Sequence, residues 1–265
     1  MSIDGTTRIY AVIGDPVSAV RSPEWFNTLF DKSDLNAVLI PLLVQRDDLA
    51  TAFAGLKTMR NLDGLVVTMP HKNAMCALLD ELGPAARAVG AVNAVRRESD
   101  GRWKGDMFDG RGCVRGLREQ GHEVTGCSVF LLGAGAAGSA VAFALAEAGV
   151  QQLVIDDVDS ARCTRVAQTL KQAFPVIDVH SGKLVGDGTY DVVINATPLG
   201  MRPTDPLPFD PAGLSKSTLV VDVITKPEIT PFLERARQTG HRTHSGRHMH
   251  AGQAIEAARF FGLNP

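Results

Sequence analysis

The sequence has no run approaching the ~18 consecutive apolar residues that a membrane-crossing helix needs, so a membrane is not an expected partner. It has no charge excess either. The 27 Lys and Arg against 29 Asp and Glu leave a formal net charge of -2, with no positive field to draw a phosphate backbone, and nucleic acid is not expected to bind. Cysteine is scarce: Cys76, Cys113, Cys127 and Cys163 stand apart, with no Cys-x-x-Cys pairing and no neighbouring histidine cluster. That spacing indicates neither a zinc site nor a disulfide framework, and leaves reduced, buried thiols and no metal as the expectation. The opening MSIDGTTRIYAVIG lacks the basic segment followed by an apolar one that marks a secretion signal, which points to a cytoplasmic protein. Repeats, charge blocks and low-complexity tracts are also missing.

What the 265 residues do contain is 45% hydrophobic content, arranged as short apolar runs that alternate with longer segments of helical periodicity. That alternation is the mark of βαβ units around a mostly parallel sheet, so the fold class is α/β. The length suits two domains. In the first, residues 9–13, 38–40 and 65–68 read as strands. A helix opens at Ser22-Pro23, with Ser22 as its N-cap and Pro23 at the tolerated first position, and a second lies near 47–56. Residues 92–97 and 102–104 read as a hairpin turning at Ser99-Asp100-Gly101, its antiparallel strands at the edge of the sheet. From Ser128 the pattern restarts with a strand at 129–132, a helix at 139–148 closed by Gly149, and a strand at 153–155. Strands at 192–195 and 219–223 follow, then a helix from Thr230-Pro231 to Gln238. Residues 249–261 read as an amphipathic helix that could pack back on the first domain.

One strand-to-helix junction carries the most specific signal. Gly133-Ala134-Gly135-Ala136-Ala137-Gly138 lies between an apolar strand and an alanine-rich helix, with Asp156 and Asp157 standing 23 and 24 residues after its first glycine. Gly133 permits the tight turn, Gly135 lets a pyrophosphate approach the backbone, and Gly138 lets the helix press on the strand. The helix N-terminus adds unpaired N–H groups, completing a dinucleotide-binding fingerprint. Asp156 and Asp157 are placed to accept hydrogen bonds from the adenosine ribose, whereas a 2'-phosphate would meet two like charges. Arg162 lies several residues into the next helix. NAD is therefore expected in preference to NADP. One of the two acids could equally cap the helix that follows.

Hydride transfer from an alcohol needs a group that takes the hydroxyl proton, and the glycine turn has none. Strand ends facing a crevice are where such a group belongs. Two turns qualify: Val67-Thr68-Met69-Pro70-His71-Lys72, which would present Lys72, and Gly105-Asp106-Met107-Phe108-Asp109-Gly110, which carries acids. Read alone, either could be solvated surface.

These motifs occur in one order with Gly14-Asp15-Pro16, Ser22-Pro23, Asn27, Gly90-Ala91-Val92-Asn93, Asn195-Ala196-Thr197-Pro198-Leu199-Gly200-Met201, Asp222, Pro227, Thr230-Pro231, Gly246 and Gln253-Ala254. With that order the chain resembles the shikimate/quinate dehydrogenase family over nearly its full length. The resemblance implies an N-terminal α/β substrate domain with a mixed sheet, residues 1–110 completed by 241–265. It also implies a Rossmann-type dinucleotide-binding domain at 111–240, with the active site in the cleft between the two. It implies Lys72 as the catalytic lysine and Asp109 as its partner aspartate, with Ser22, Thr68, Asn93 and Gln253 around the substrate. Asn195, Thr197, Pro198 and Val223 would join the glycine turn beside the cofactor. A lysine in a closing cleft loses water and tends to shed its proton, while a carboxylate favours its charged form, so such a pair can shuttle one proton. The expected partner is a small cyclic polyol acid, and the expected assembly a monomer or homodimer.

The chain departs from the family pattern at one end of the pocket. Val20-Arg21-Ser22 stands for Ser-x-Ser, Met107 and Phe108 for two small polar residues, Thr225 for a tyrosine, and Gly246-Arg247-His248-Met249-His250 for Gly-Leu-Gly-Met-Leu. These changes touch the contacts to the substrate carboxylate and spare Lys72 and Asp109, with Arg21 or Arg247 as candidate replacements. Together with the acids at 156 and 157, they point to a divergent, NAD-preferring member acting on a shikimate-like or quinate-like acid, in a catabolic or secondary-metabolic branch of the aminoshikimate type. Two readings compete: a non-catalytic NAD-binding regulator on the same fold, and a housekeeping NADP-dependent shikimate dehydrogenase.

Overall fold

The computed structural model describes residues 3–18, 20–184 and 190–265. Its elements run β1 (Arg8–Gly14), α1 (Ser22–Lys32), β2 (Ala37–Leu43), α2 (Leu49–Thr58), β3 (Leu62–Val67), β4 (Glu81–Leu82), α3 (Pro84–Val89), β5 (Ala94–Arg97), β6 (Trp103–Asp106) and α4 (Asp109–Glu119). They continue with β7 (Ser128–Leu132), α5 (Ala136–Glu147), β8 (Gln152–Asp156), α6 (Ser160–Ala173), β9 (Asp178–Ser181), β10 (Val192–Asn195), β11 (Leu219–Asp222), α7 (Pro231–Gln238), β12 (Arg242–His244) and α8 (Gly246–Phe260). The chain divides into two compact units, Met1–Phe108 with Ala254–Pro265, and Asp109–Gln253.

The first unit is built on a sheet in the order β2-β1-β3-β5-β6-β4. β1 pairs in parallel with both β2 and β3, whereas β5 runs antiparallel to β3 and to β6. The strand alternation of β1 builds a core on each face. Tyr10 and Val12 point toward Phe26 and Phe30 of α1 and Ala257 and Ala258 of α8; Ala11 and Ile13 point the other way, toward Phe53 of α2, Met75 and Trp103. Trp103 meets Phe53 edge-on at 5.5 Å and lies under the Arg97 guanidinium at 4.7 Å. The hairpin forms with Ala94 opposite Asp106 and Arg97 opposite Trp103, but β4 pairs outside β6, so the hairpin is not the sheet edge it was expected to be. Ser22 is not an N-cap. Arg21 occupies the cap position with near-helical backbone angles and no side-chain cap bond, so the helix starts one residue early.

The second unit carries six parallel strands in the order β12-β11-β10-β7-β8-β9. Successive strands build outward from β7 in one direction and then, from β10, in the other, which places a topological switch point between β7 and β10. Phe130, Val154, Val193 and Val220 pack on Phe232, Leu233 and Ala236 of α7. α4 was not among the expected elements, only its first two residues having been read, as the end of an acidic turn; Gly110, Gly112 and Gly116 lower its intrinsic helix propensity. Those glycines allow three close approaches. A Cβ at Gly110 would overlap the Ala140 backbone of α5. One at Gly112 would lie 2.6 Å from the Met249 carbonyl and overlap Gln253, and one at Gly116 would lie 2.7 Å from the His248 backbone. Packing here overrides propensity.

All four cysteines are free; Cys113 and Cys163 are buried, while Cys76 and Cys127 are only half-buried, which corrects the expectation of four buried thiols. Burial pushes the Cys113 thiol up to about 12, an unreactive state. Among the described residues no helix is long and apolar enough to cross a membrane.

Candidate active site

In the first unit β1 and β3 run parallel and β5 antiparallel, so the loops after β1 and β3, the residue before β5 and the loop after β6 share one edge of the sheet. That edge holds Ser22, Thr68, Lys72 and Asn93. The turn carrying Lys72 is held by main-chain bonds: Thr68 N–H donates to the Ile13 carbonyl at 3.0 Å, Asp15 N–H to the Met69 carbonyl at 2.9 Å, and Val92 N–H to the Lys72 carbonyl at 2.9 Å. Lys72 itself is half-buried and Asn93 completely buried. The Asn93 side-chain oxygen accepts the Phe108 N–H at 2.9 Å, which fixes the chain immediately before Asp109. Asp106, expected as an acid in an open turn, instead ends β6, buried, and accepts N–H bonds from Ala86 at 2.8 Å and Met107 at 2.9 Å. A depression of about 420 Å³ near the ends of β1 and β2, lined by Asp15, Leu43, Val44, Gln45, Asp48 and Ala52, contains none of the expected site residues.

In the second unit the parallel strands bring the glycine turn, Asp156, Asp157, Asn195, Thr197, Pro198 and Val223 to their C-terminal ends, while Asp109 and Gln253 are carried by helices. Asp109, buried, opens α4, and Gln253 lies on α8 where that helix passes close to Gly112. Gly133 has φ 103°, and a Cβ there would stand 2.7 Å from the Ala196 backbone; one at Gly138 would overlap the Gly133 carbonyl. A Cβ at Gly135 would meet nothing within 4 Å. The turn is thus tight on its inner side and open at its middle glycine, with the N-terminus of α5 directly behind it, a cradle that fits a pyrophosphate. Ala134 is buried, and Ala136 and Ala137 are half-buried in the first turn of α5. Asp157 accepts the Ala134 N–H at 2.7 Å and the Asp159 N–H at 2.9 Å. Asp156, half-buried at the end of β8, accepts the Gly133 N–H on its backbone carbonyl at 2.7 Å.

Asn195 is completely buried and its side chain is fully engaged. Its amide donates to the Leu199 carbonyl at 3.2 Å and to Asp222 at 3.3 Å, and its oxygen accepts from Thr197 N–H at 3.1 Å and Thr197 hydroxyl at 2.7 Å. Pro198 is exposed and Val223 half-buried at the end of β11. Asp222 was not singled out as a site residue, yet it organises this end of the sheet: it accepts the Ile224 N–H at 3.0 Å and the Thr230 hydroxyl at 2.7 Å while Thr230 caps α7. Burial pushes its carboxyl pKa up, against the lowering effect of those bonds. Its signal in the sequence was the spacing of Asp222 and Thr230-Pro231. Arg21 and Arg247, the candidate carboxylate contacts, form exposed ion pairs with Glu24 at 3.2 Å and Glu228 at 2.8 Å. Among the described residues no group of three His, Cys, Asp or Glu is placed to hold a metal ion.

Residues 12–95 match the family model of the shikimate dehydrogenase substrate binding domain. Over 271 aligned residues the chain is 38% identical to the shikimate dehydrogenase (NADP(+)) of Rubrobacter xylanophilus, covering 99% of this chain and 94% of that one. The chain belongs to the shikimate dehydrogenase family. Among solved structures it is similar to the shikimate 5-dehydrogenase of Listeria monocytogenes in complex with shikimate and NAD, with a TM-score of 0.89 and 29% identity over 99% of this chain and 94% of that one. It is also similar to the quinate dehydrogenase of Corynebacterium glutamicum in complex with NAD, with a TM-score of 0.86 and 32% identity over 98% and 95%. The α/β class and the pairing of a substrate-binding unit with a Rossmann-type unit are those of the family.

The expected preference for NAD over NADP is overturned. Curated relatives 33–38% identical over nearly their whole lengths are named NADP(+) enzymes. Counting charges at 156 and 157 failed for a structural reason. Both Asp157 oxygens face the backbone of the glycine turn and the start of α6, so this carboxylate is a brace rather than a ribose acceptor. Arg162 stands on the first turn of α6, half-exposed, with its guanidinium 3.7 Å from Asp157 and 3.6 Å from Asp159. The turn therefore does not present two uncompensated like charges to a phosphate.

Proposed function

We propose that the chain interconverts shikimate and its ring ketone as an NADP-linked dehydrogenase, the first unit holding the substrate and the second the dinucleotide. The observation that carries this reading is the 38% identity to a shikimate dehydrogenase (NADP(+)) across 99% of the chain. The dinucleotide, when bound, supplies the acceptor or donor of hydride. Gly133 to Gly138 and the N-terminus of α5 would hold its pyrophosphate, and the loops bearing Asn195, Thr197, Pro198 and Val223 would flank it. Lys72 takes the ring hydroxyl proton during oxidation and returns it to the carbonyl oxygen during reduction, with Asp109 as its partner carboxylate. Asn93 and Thr68 orient ring hydroxyls, Ser22 the carboxylate, and Gln253 reaches in from α8.

The test is a steady-state assay with shikimate, quinate and an amino-substituted analogue, each with NADP and with NAD. Shikimate with NADP is expected to give the highest kcat/KM, and Lys72→Ala to lower it on the order of 10²- to 10⁴-fold. Full turnover by Lys72→Ala would remove the lysine from the chemistry. Tight dinucleotide binding without turnover of any of the three acids would favour the regulator.

A further inference from the structure

The motif that presents Lys72 also contains an imidazole that the proposed chemistry does not use. His71 is completely buried. Its Nε2 lies 2.8 Å from the carbonyl oxygen of Val44. A carbonyl can only accept, so Nε2 carries the hydrogen and donates it. Nδ1 is buried, with no hydrogen-bond partner among the described residues. A ring kept here only to fill space would need no nitrogen, and a phenyl group would serve. What imidazole adds over phenyl is the bond to Val44.

That bond has a fixed anchor. Val44 N–H donates to the Gly14 carbonyl at 3.1 Å, tying the residue that carries the accepting carbonyl to the end of β1. Other supports of the turn are main-chain bonds to β1 and to the residues before β5, with His71 N–H closing on the Thr68 carbonyl at 2.9 Å and Met75 N–H on the His71 carbonyl at 2.9 Å, and the Asn73 side-chain amide, which donates to the Gly90 carbonyl at 2.8 Å. The ring therefore links the turn to the segment after β2, a direction those bonds do not brace.

We propose that His71 is a positioning residue for Lys72: its Nε2–H bond to Val44 holds the turn so that the lysine amine is presented in one place, without His71 touching substrate. This rests on the reading of Lys72 as the acid/base group. A displacement of about 1 Å at a reacting group is enough to slow turnover on the order of 10²-fold.

The test compares His71→Phe, His71→Gln and His71→Asn by steady-state kinetics. Phe keeps the shape and removes the donor, and is expected to lower kcat roughly 10- to 100-fold with KM for shikimate within about threefold of wild type. Gln can place an amide N–H near the Nε2 position and is expected to recover most of kcat; Asn, whose amide falls short of Val44, is expected to stay slow. In a Lys72→Ala background His71→Phe should cause no further loss, because no lysine remains to be placed. A Phe variant with wild-type kcat, equal kcat in the Gln and Asn variants, or a full further loss in the Lys72→Ala background would overturn the proposal. If His71→Phe does not fold by circular dichroism, the Gln and Asn pair decides the matter. An inactive Lys72→Ala beside fully active His71 variants would sink this inference alone, whereas an active Lys72→Ala would sink the reading beneath it.

Discussion

His244 closes β12 with its ring buried against two other imidazoles, His122 at 6.0 Å and His248 at 4.8 Å between ring centroids, and with no partner for its Nε2 among the described residues. Burial, then the neighbouring His248 and His122, push its pKa down from 6.5 to about 4. His122 and His248 are also lowered, chiefly by burial, with Arg242 acting on the first; on the second Arg247 acts in the same sense, against Glu228 and Glu119. The unfolded chain takes up a proton on His244 as pH falls through 6.5, while the folded chain resists until about 4, so folding stability is lost on acidification across that window. Each tenfold difference in proton affinity corresponds to about 1.4 kcal/mol, which sets a ceiling of about 3 kcal/mol for this residue and about 2 kcal/mol by roughly pH 5. Urea titrations of wild type and His244→Leu between about pH 7.5 and 5 measure it. The wild-type curve should fall more steeply, by about 2 kcal/mol over that range. Exposed carboxylates held below their ordinary range, such as Asp100 and Asp210, contribute their losses only at lower pH, and the raised Asp222 acts with opposite sign in both chains. Parallel curves for the two chains would refute this account of the cluster.

Two further outcomes follow from bonds and contacts already described. Asp157→Ala removes the acceptor for Ala134 N–H and should raise KM for the dinucleotide about fivefold, the equivalent of one hydrogen bond of about 1 kcal/mol, with kcat little changed; an unaltered KM would contradict the bracing role. Gly112→Ala places a methyl group against the Met249 and Gln253 backbone and should lower unfolding free energy by about 1–3 kcal/mol in urea, whereas a variant as stable as wild type would mean that the two helices do not approach so closely.

The sequence made the α/β alternation legible because both of its periods are written in apolar residues: the runs in β1, β7, β8 and β10 are buried on two faces, and the glycine turn has a spacing that few other structures demand. Several elements that escaped notice, α3 and β9 aside, have reasons that lie elsewhere in the chain or are too short to show a period. α4 carries three glycines because α5 and α8 press on it, and β4 and β12 are two- and three-residue strands too short to show an alternation. Side-chain roles were hardest to read. An aspartate after a strand looks the same whether it faces a ribose or the turn behind it, and Asp157 faces the turn. Ser22 looked like a cap because the residue type suits one, but the backbone of Arg21 had already entered the helix.

The first unit is assembled from the two ends of the chain. Phe261 lies 5.3 Å from Tyr10 and 5.8 Å from Phe26, and Ala257 and Ala258 complete the same core. On the ribosome, β1 and α1 emerge early and must wait, with that apolar face uncovered, until the whole of Asp109–Gln253 has been made and the segment beyond it arrives. The dinucleotide-type unit, continuous in the chain, can close first, and the nascent first unit is the stage at which chaperones and aggregation would compete for this protein.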